Sequence, residues 1–295
     1  MSDFSPEVRN SAWWSSDSRK AANGKASESI LTKLGMMPIP DLSGIEAVQM
    51  GHVMEPVILE LAAKKLGCEV KKIDHAMSHP KELWLKSHFD GVTPMNELVE
   101  AKNYNASVRH KFDADTGMMP PADLAQCVHE ATVFGTDTVY LAVLFGGQEF
   151  VMIKVNVTEQ MKESHIKDMA VHWAKVVNKT IPDPSSVEEA RLIFPAAQTG
   201  LKVATNKSER YCQDLKAIKH QIKLLESQEE ILQTALMTEM GDAESLVDVG
   251  GSALVTWKNA KSSMRFDSKL FEQTMPDTYK KFVYEVPGSR RFLVK

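Results

Sequence analysis

Cysteine is scarce: Cys68, Cys127 and Cys212 are the three in 295 residues, odd in number and far apart. That excludes a CxxC zinc site and the four-cysteine set of an iron–sulfur cluster, and it argues against a disulfide framework. A reducing cytoplasm fits best. Long apolar runs are also missing. No stretch of about 18 apolar residues exists, so no membrane span is expected, and the N-terminal MSDFSPEVRNSAWW lacks the apolar core of a secretion signal. There is no GxxxxGK(S/T) loop for ATP hydrolysis of the helicase kind. His129-Glu130 lacks the second histidine of an HExxH zinc protease. No internal repeat or low-complexity stretch is found. A dominant charge sign is absent too: 35 Lys/Arg against 39 Asp/Glu leave a net charge of −4, so composition alone does not announce nucleic acid.

The charge that is present is unevenly placed. From Trp257 to Lys295, nine Lys/Arg stand against four acids with aromatics among them, a composition that suits a phosphate backbone as well as it suits a solvated basic surface. Upstream, residues 1–43 are polar. Val57, Ile58, Leu61, Ala62 and Leu66 recur at helical spacing within Ile45–Leu66, with Gly67 as a C-cap and Pro56 either opening a second helix or kinking one. Strand-like runs follow at Glu69–Ile73, Leu83–Phe89 and Glu97–Lys102. A helix is expected over Ala122–Phe134, a hairpin from Thr138–Phe145 to Glu149–Val157 turning at Gly146-Gly147, and a helix over Lys162–Val177. Over residues 205–240, Tyr211, Leu215, Ile218, Ile222, Leu225, Leu232 and Leu236 step alternately by four and three, broken at Glu229. That spacing belongs to a coiled-coil or hairpin helix, a spacer or arm. Two domains are expected, 1–200 and 201–295.

The chemistry concentrates in Ser87–Lys102. Asp90 ends one strand-like run; Glu100 and Lys102, two apart on the next, share a face. A hairpin brings two carboxylates and one ammonium to one spot. Paired acids supply the oxygen ligands a hard divalent ion such as Mg²⁺ needs, and their repulsion favours the metal. The lysine can hold or deprotonate an attacking water and offset charge in a phosphoryl transition state. Two further polar residues stand on apolar helical segments: Glu55, between Met54 and Val57, and Gln126, in a stretch of mostly small or apolar neighbours.

Taken together, Gly51-x3-Glu55, Asp90-x9-Glu100-x-Lys102 and the downstream Gln126 resemble the lambda-exonuclease/YqaJ family of viral recombinases. Trp13-Trp14, Arg19-Lys20 and Ala26-Ser27-Glu28 are similar to that family's upstream segment, in which an arginine and a serine grip the 5′-phosphate of a DNA end. Ser27 and either Arg19 or Lys20 would do so here. The long helix, Trp257, Arg265-Phe-Asp267 and Arg290-Arg291-Phe292 extend the resemblance over nearly the whole chain. It implies an α/β (α+β) PD-(D/E)xK core, a central mixed sheet flanked by helices, with a C-terminal long-helix extension. It implies a 5′→3′ exonuclease on double-stranded DNA ends that leaves a 3′ overhang for a single-strand annealing protein. Asp90, Glu100, the main-chain carbonyl of Ala101 and Glu55 would hold Mg²⁺ or Mn²⁺, as two ions, while Lys102 activates water and Gln126 bonds the scissile strand or the lysine. A homo-oligomer, a trimeric ring around the duplex, is implied as well. The alternatives are a structure-specific or restriction-type endonuclease of the same superfamily, and a non-catalytic DNA-end-binding scaffold. The helix over 205–240 would assemble the oligomer, clamp DNA or brace the nuclease domain.

Overall fold

The computed structural model describes residues 6–198, 200–286 and 288–295; the first five residues of the N-terminal segment lie outside the described residues. The chain divides into two compact units after Phe194. No helix among the described residues is long and apolar enough to cross a membrane.

The first unit opens with α1 (Pro6–Asn10), β1 (Trp13–Trp14), α2 (Ser15–Ala22) and α3 (Ala26–Lys33), followed by the long α4 (Glu46–Leu66). Three strands come next, β2 (Lys71–Ser78), β3 (Leu85–Val92) and β4 (Leu98–Tyr104). Then come α5 (Pro121–Phe134), β5 (Thr138–Phe145), β6 (Glu149–Asn156), α6 (Glu159–Val177) and α7 (Val187–Ile193). The strands join in one mixed sheet of order β1-β3-β4-β5-β6, with β2 paired antiparallel to β3. β4 and β5 are parallel over Leu98↔Val139 to Tyr104↔Phe145, a pairing that needs a crossover, and α5 supplies it. β5 and β6 form the antiparallel hairpin that turns at Gly146-Gly147.

Burial follows the alternation of the strands. On one face of the sheet Leu98, Val139, Leu141, Val143 and Phe145 pack with Cys127, Val128 and Ala131 of α5 and with Met169 of α6. On the other, Val99, Ala142 and Leu144 meet Ile58, Leu59 and Ala62 of α4. α4 is one continuous helix through Pro56, ended by Gly67 in the left-handed conformation (φ 68°). The residues that α4 buries, Ile58, Leu59 and Ala62, all follow the proline, and the turns before it are largely exposed. β2 starts two residues later than the expected run and extends to Ser78; with only half-buried and exposed side chains, it is held by backbone pairing to β3, which an apolar pattern does not report. The polar N-terminal stretch also folds into buried helices, because what α2 and α3 bury is largely polar: Asp17 and Ser18 from one, Ser27 and Ser29 from the other.

That polar burial includes a small network. Ser18 Oγ lies 2.8 Å from His129 Nδ1, which lies 3.1 Å from His165 Nε2, while His129 Nε2 faces the Lys86 carbonyl at 2.9 Å. Trp13 Nε1 donates to Ser18 Oγ at 3.1 Å. Burial pushes His129 down to about 4, and burial together with the neighbouring His129 pushes His165 down to about 3. Both rings are therefore neutral when folded and would take up protons on unfolding.

The second unit holds α8 (Asn206–Met240), the hairpin β7 (Ser245–Val247) and β8 (Ala253–Thr256), and the short α9 (Ser268–Thr274) and α10 (Pro276–Tyr279). Thr205 starts α8 with a capping box closed by Ser208. Ile218, Ile222, Leu225 and Leu232 of the four-three stripe are exposed. Phe266, Phe271 and Tyr279 stack edge-to-face beyond the hairpin.

Because the folded imidazoles refuse protons that the unfolded chain accepts below its ordinary pKa near 6.5, stability attributable to them is present at neutral pH and lost as pH falls toward about 4. Each contributes a slope of up to about 1.4 kcal/mol per pH unit in that window. Urea unfolding at stepped pH should show that His165→Gln lowers stability at pH 7 less steeply toward acid than wild type; parallel pH profiles for the two proteins would contradict it.

Candidate active site

The β3–β4 ladder contains only two register pairs, Gly91↔Val99 and Val92↔Leu98. Beyond them the strands part, and the N–H of Ala101 has no ladder partner on that side. Asp90 takes it: its Oδ2 accepts the Ala101 N–H at 2.8 Å. A carboxylate thus replaces a strand carbonyl where the sheet opens. The next residue has to be glycine, since a Cβ on Gly91 would lie 2.6 Å from Val70 Cγ1 and 3.1 Å from Leu59 Cδ2. An extended residue projects its N–H and C=O from the same edge of the strand, so the Ala101 carbonyl faces the same opening.

Glu100 and Lys102 share the α5 face of β4. Lys102 Nζ donates to Glu100 Oε1 at 2.5 Å, and Gln126 Nε2 donates to the same oxygen at 2.6 Å. Gln126 also donates to Glu130 Oε1, one turn along α5, at 2.9 Å. Glu100, with 3 % of its surface exposed, sits at the centre. Burial, then repulsion from Glu100, raises the Asp90 carboxyl well above its ordinary value, with Glu55 adding to the effect; Lys102 and the Ala101 N–H oppose it. Burial and Glu100 do the same to Glu130. Burial works against the charge on Lys102, but the carboxylate of Glu100 outweighs it and holds the ammonium above its usual range. Lys102 is a cation here.

Of the sequence-derived set, Asp90, Glu100, Lys102, Gln126 and Ala101 converge. Glu55 comes within electrostatic reach of Asp90 from α4, but its Oε1 is engaged by Lys72 Nζ at 2.6 Å. Arg19 joins the cluster through its Nη1, which donates to Gln126 Oε1 at 3.3 Å. Lys20 pairs with Glu28 at 2.7 Å, and Ser27 donates to Ser185 Oγ at 2.8 Å; neither makes a hydrogen bond into the cluster. Sequence reasoning passed over three neighbours. Tyr104 follows Lys102 by two on the same face of β4, while Asp123 and Glu130 flank Gln126 at i−3 and i+4 on α5. That periodic spacing was the available signal.

Among the described residues no group of three or more His, Cys, Asp or Glu side chains is arranged to hold a metal ion. The opening offers the two carboxylates of Asp90 and Glu100 with the Ala101 carbonyl, an all-oxygen set of the kind that hard divalent cations take.

Residues 12–138, which hold every element of this cluster, match the model of the YqaJ-like viral recombinase domain. That match spans less than half of the chain. A protein named YqaJ from Bacillus subtilis (strain 168) is 27% identical to it over 275 residues, which is 90% of this chain and 84% of the relative. Among solved structures, the alkaline exonuclease LHK-Exo from Laribacter hongkongensis is similar at 14% identity and a TM-score of 0.50, over 59% of this chain and 91% of its own. At that identity the likeness speaks for the fold: a PD-(D/E)xK core, with the mixed sheet flanked by helices. The matched span includes Asp90, Glu100 and Lys102, and also Arg19, Tyr104, Asp123 and Gln126.

Two acids beside the buried Glu100, Asp90 and Glu130, put the site under electrostatic strain that a neutral isostere relieves. Asp90→Asn keeps an acceptor for the Ala101 N–H and removes a charge. In EDTA at pH 8 it should melt a few degrees above wild type, the shift that about 1 kcal/mol produces in a domain of this size. A lower melting temperature would mean that the charge on Asp90 stabilises the fold.

Proposed function

We propose that this chain is a divalent-metal-dependent exonuclease that digests one strand of linear double-stranded DNA from its 5′ end and leaves a 3′ overhang for a strand-annealing partner. The observation that carries the reading is the meeting of Asp90, Glu100, Lys102 and Gln126 at the splayed end of β3 and β4, within a viral recombinase domain. The alkaline exonuclease activity named for LHK-Exo, on the same fold, agrees with it.

The donor set fits Mg²⁺ or Mn²⁺: Asp90, Glu100 and the Ala101 carbonyl would hold the ion, and Glu55 could join only by leaving Lys72. A bound divalent ion supplies Lewis acidity toward the phosphoryl oxygens and lowers the pKa of a bound water. The residues do the rest. Lys102, held protonated by Glu100, acts as a cation that keeps the attacking water in place and offsets the charge growing on the scissile phosphate, rather than as a base. Gln126 fixes the carboxylate of Glu100 with one amide hydrogen and is itself steadied by Glu130. Arg19, a planar fork suited to phosphate, stands one hydrogen bond from Gln126 and is the better placed of the two candidate cations to receive a terminal 5′-phosphate. Recognition of an end favours exonuclease over endonuclease action.

Lys102→Ala and Asp90→Ala should each lower the Mg²⁺-dependent release of nucleotides from linear duplex by at least a thousandfold while duplex binding persists, and closed circular duplex should stay intact with the wild-type protein. Measurement with end-labelled linear and closed circular DNA decides it. Wild-type rates in either variant, or cutting of the circle, would overturn the reading.

A further inference from the structure

Arg19 is held from behind. Its Nη2 donates to Tyr104 Oη at 2.8 Å, and its Nη1 pairs with Asp123 Oδ1. Tyr104 Oη closes the triangle by donating to the same Asp123 oxygen at 2.7 Å. The Asp123 side chain is 1% exposed, whereas that of Arg19 is 31% exposed. Both terminal nitrogens of the guanidinium are therefore engaged inside the domain, while part of the side chain stays open to solvent. Tyr104 itself packs against Phe112 and Phe145, at ring-centroid distances of 5.7 and 6.3 Å, which restrains the phenol beside its two partners. Through Gln126 the triangle continues to Glu100 and Lys102, at 3.3, 2.6 and 2.5 Å in turn.

A charge buried in a folded domain is unfavourable unless it is paired and hydrogen-bonded, and here the pairing goes to one long side chain that would otherwise lose most of its order. An unanchored arginine samples many rotamers, and a bidentate contact with phosphate requires one of them. The side chain next to it in sequence, Lys20, has no such support and turns to Glu28. We propose that Tyr104 and Asp123 are positioning residues that hold Arg19 ready for a terminal phosphate, so that the domain tells a 5′-phosphorylated duplex end from a 5′-hydroxyl one. The inference rests on the exonuclease reading for its ligand, a duplex end, and on nothing in the cutting step.

The test is equilibrium binding by fluorescence anisotropy, in Ca²⁺, of two duplexes identical except for a 5′-phosphate or a 5′-hydroxyl. The wild-type protein should bind the phosphorylated end more tightly. Tyr104→Phe should weaken that binding about tenfold and change hydroxyl-end binding less than twofold, and Asp123→Asn should give the same pattern. In an Arg19→Ala background Tyr104→Phe should change neither affinity, since a residue acting through Arg19 has nothing left to position. A wild-type protein that does not discriminate the two ends overturns the inference. So does equal weakening on both ends in the two variants, or losses from Tyr104→Phe and Arg19→Ala that simply multiply. Wild-type digestion of linear duplex with unchanged end preference in Tyr104→Phe would sink this inference and leave the exonuclease reading standing. The predicted binding pattern in a protein that never cuts would do the reverse.

Discussion

Everything in the first unit that bears on chemistry is arranged around one buried carboxylate. Glu100 sits on the central strand of a sheet covered on both faces. Lys102 and Gln126 hydrogen-bond to one of its oxygens, while Asp90 and Glu130 are close enough for their own carboxyl groups to be pushed toward protonation. The fold holds this arrangement by parting β3 from β4 after two register pairs, so that Asp90 takes the place of a strand carbonyl. On the proposed reading, this gathering of acids is what an added divalent cation would neutralise.

Much of this was legible in the residues. Asp90, Glu100 and Lys102 announced themselves through strand periodicity and the turn between them, and the long helix over α4 and the β5–β6 hairpin followed from apolar spacing and Gly146-Gly147. What stayed hidden was decided by partners distant in sequence. α2 and α3 bury polar side chains, because Ser18 meets two histidines from α5 and α6 and Lys33 pairs with Asp17; no hydrophobic pattern marks such helices. β2 runs on through polar residues because β3 supplies its hydrogen bonds. Arg19 and Lys20 are adjacent and chemically alike, and only tertiary packing separates them: one meets Tyr104, Asp123 and Gln126, the other Glu28. Glu130 was read only as half of a failed zinc motif, although its spacing from Gln126 put the two on one helix face.

The second unit follows a different logic. α8 is long, starts at a well-formed cap and leaves its four-three stripe of apolar residues exposed, and the aromatic cluster of Phe266, Phe271 and Tyr279 lies in a stretch rich in lysine and arginine. A helix with such a stripe does not owe its stability to a core of its own.

The most direct test of the account is the thermal unfolding of the metal-free protein with and without millimolar Mg²⁺, for the wild type and for Glu100→Gln. If repulsion around Glu100 is what the ion discharges, Mg²⁺ raises the wild-type melting temperature by several degrees and leaves that of Glu100→Gln unmoved. An equal shift in both proteins, or none in either, would contradict it.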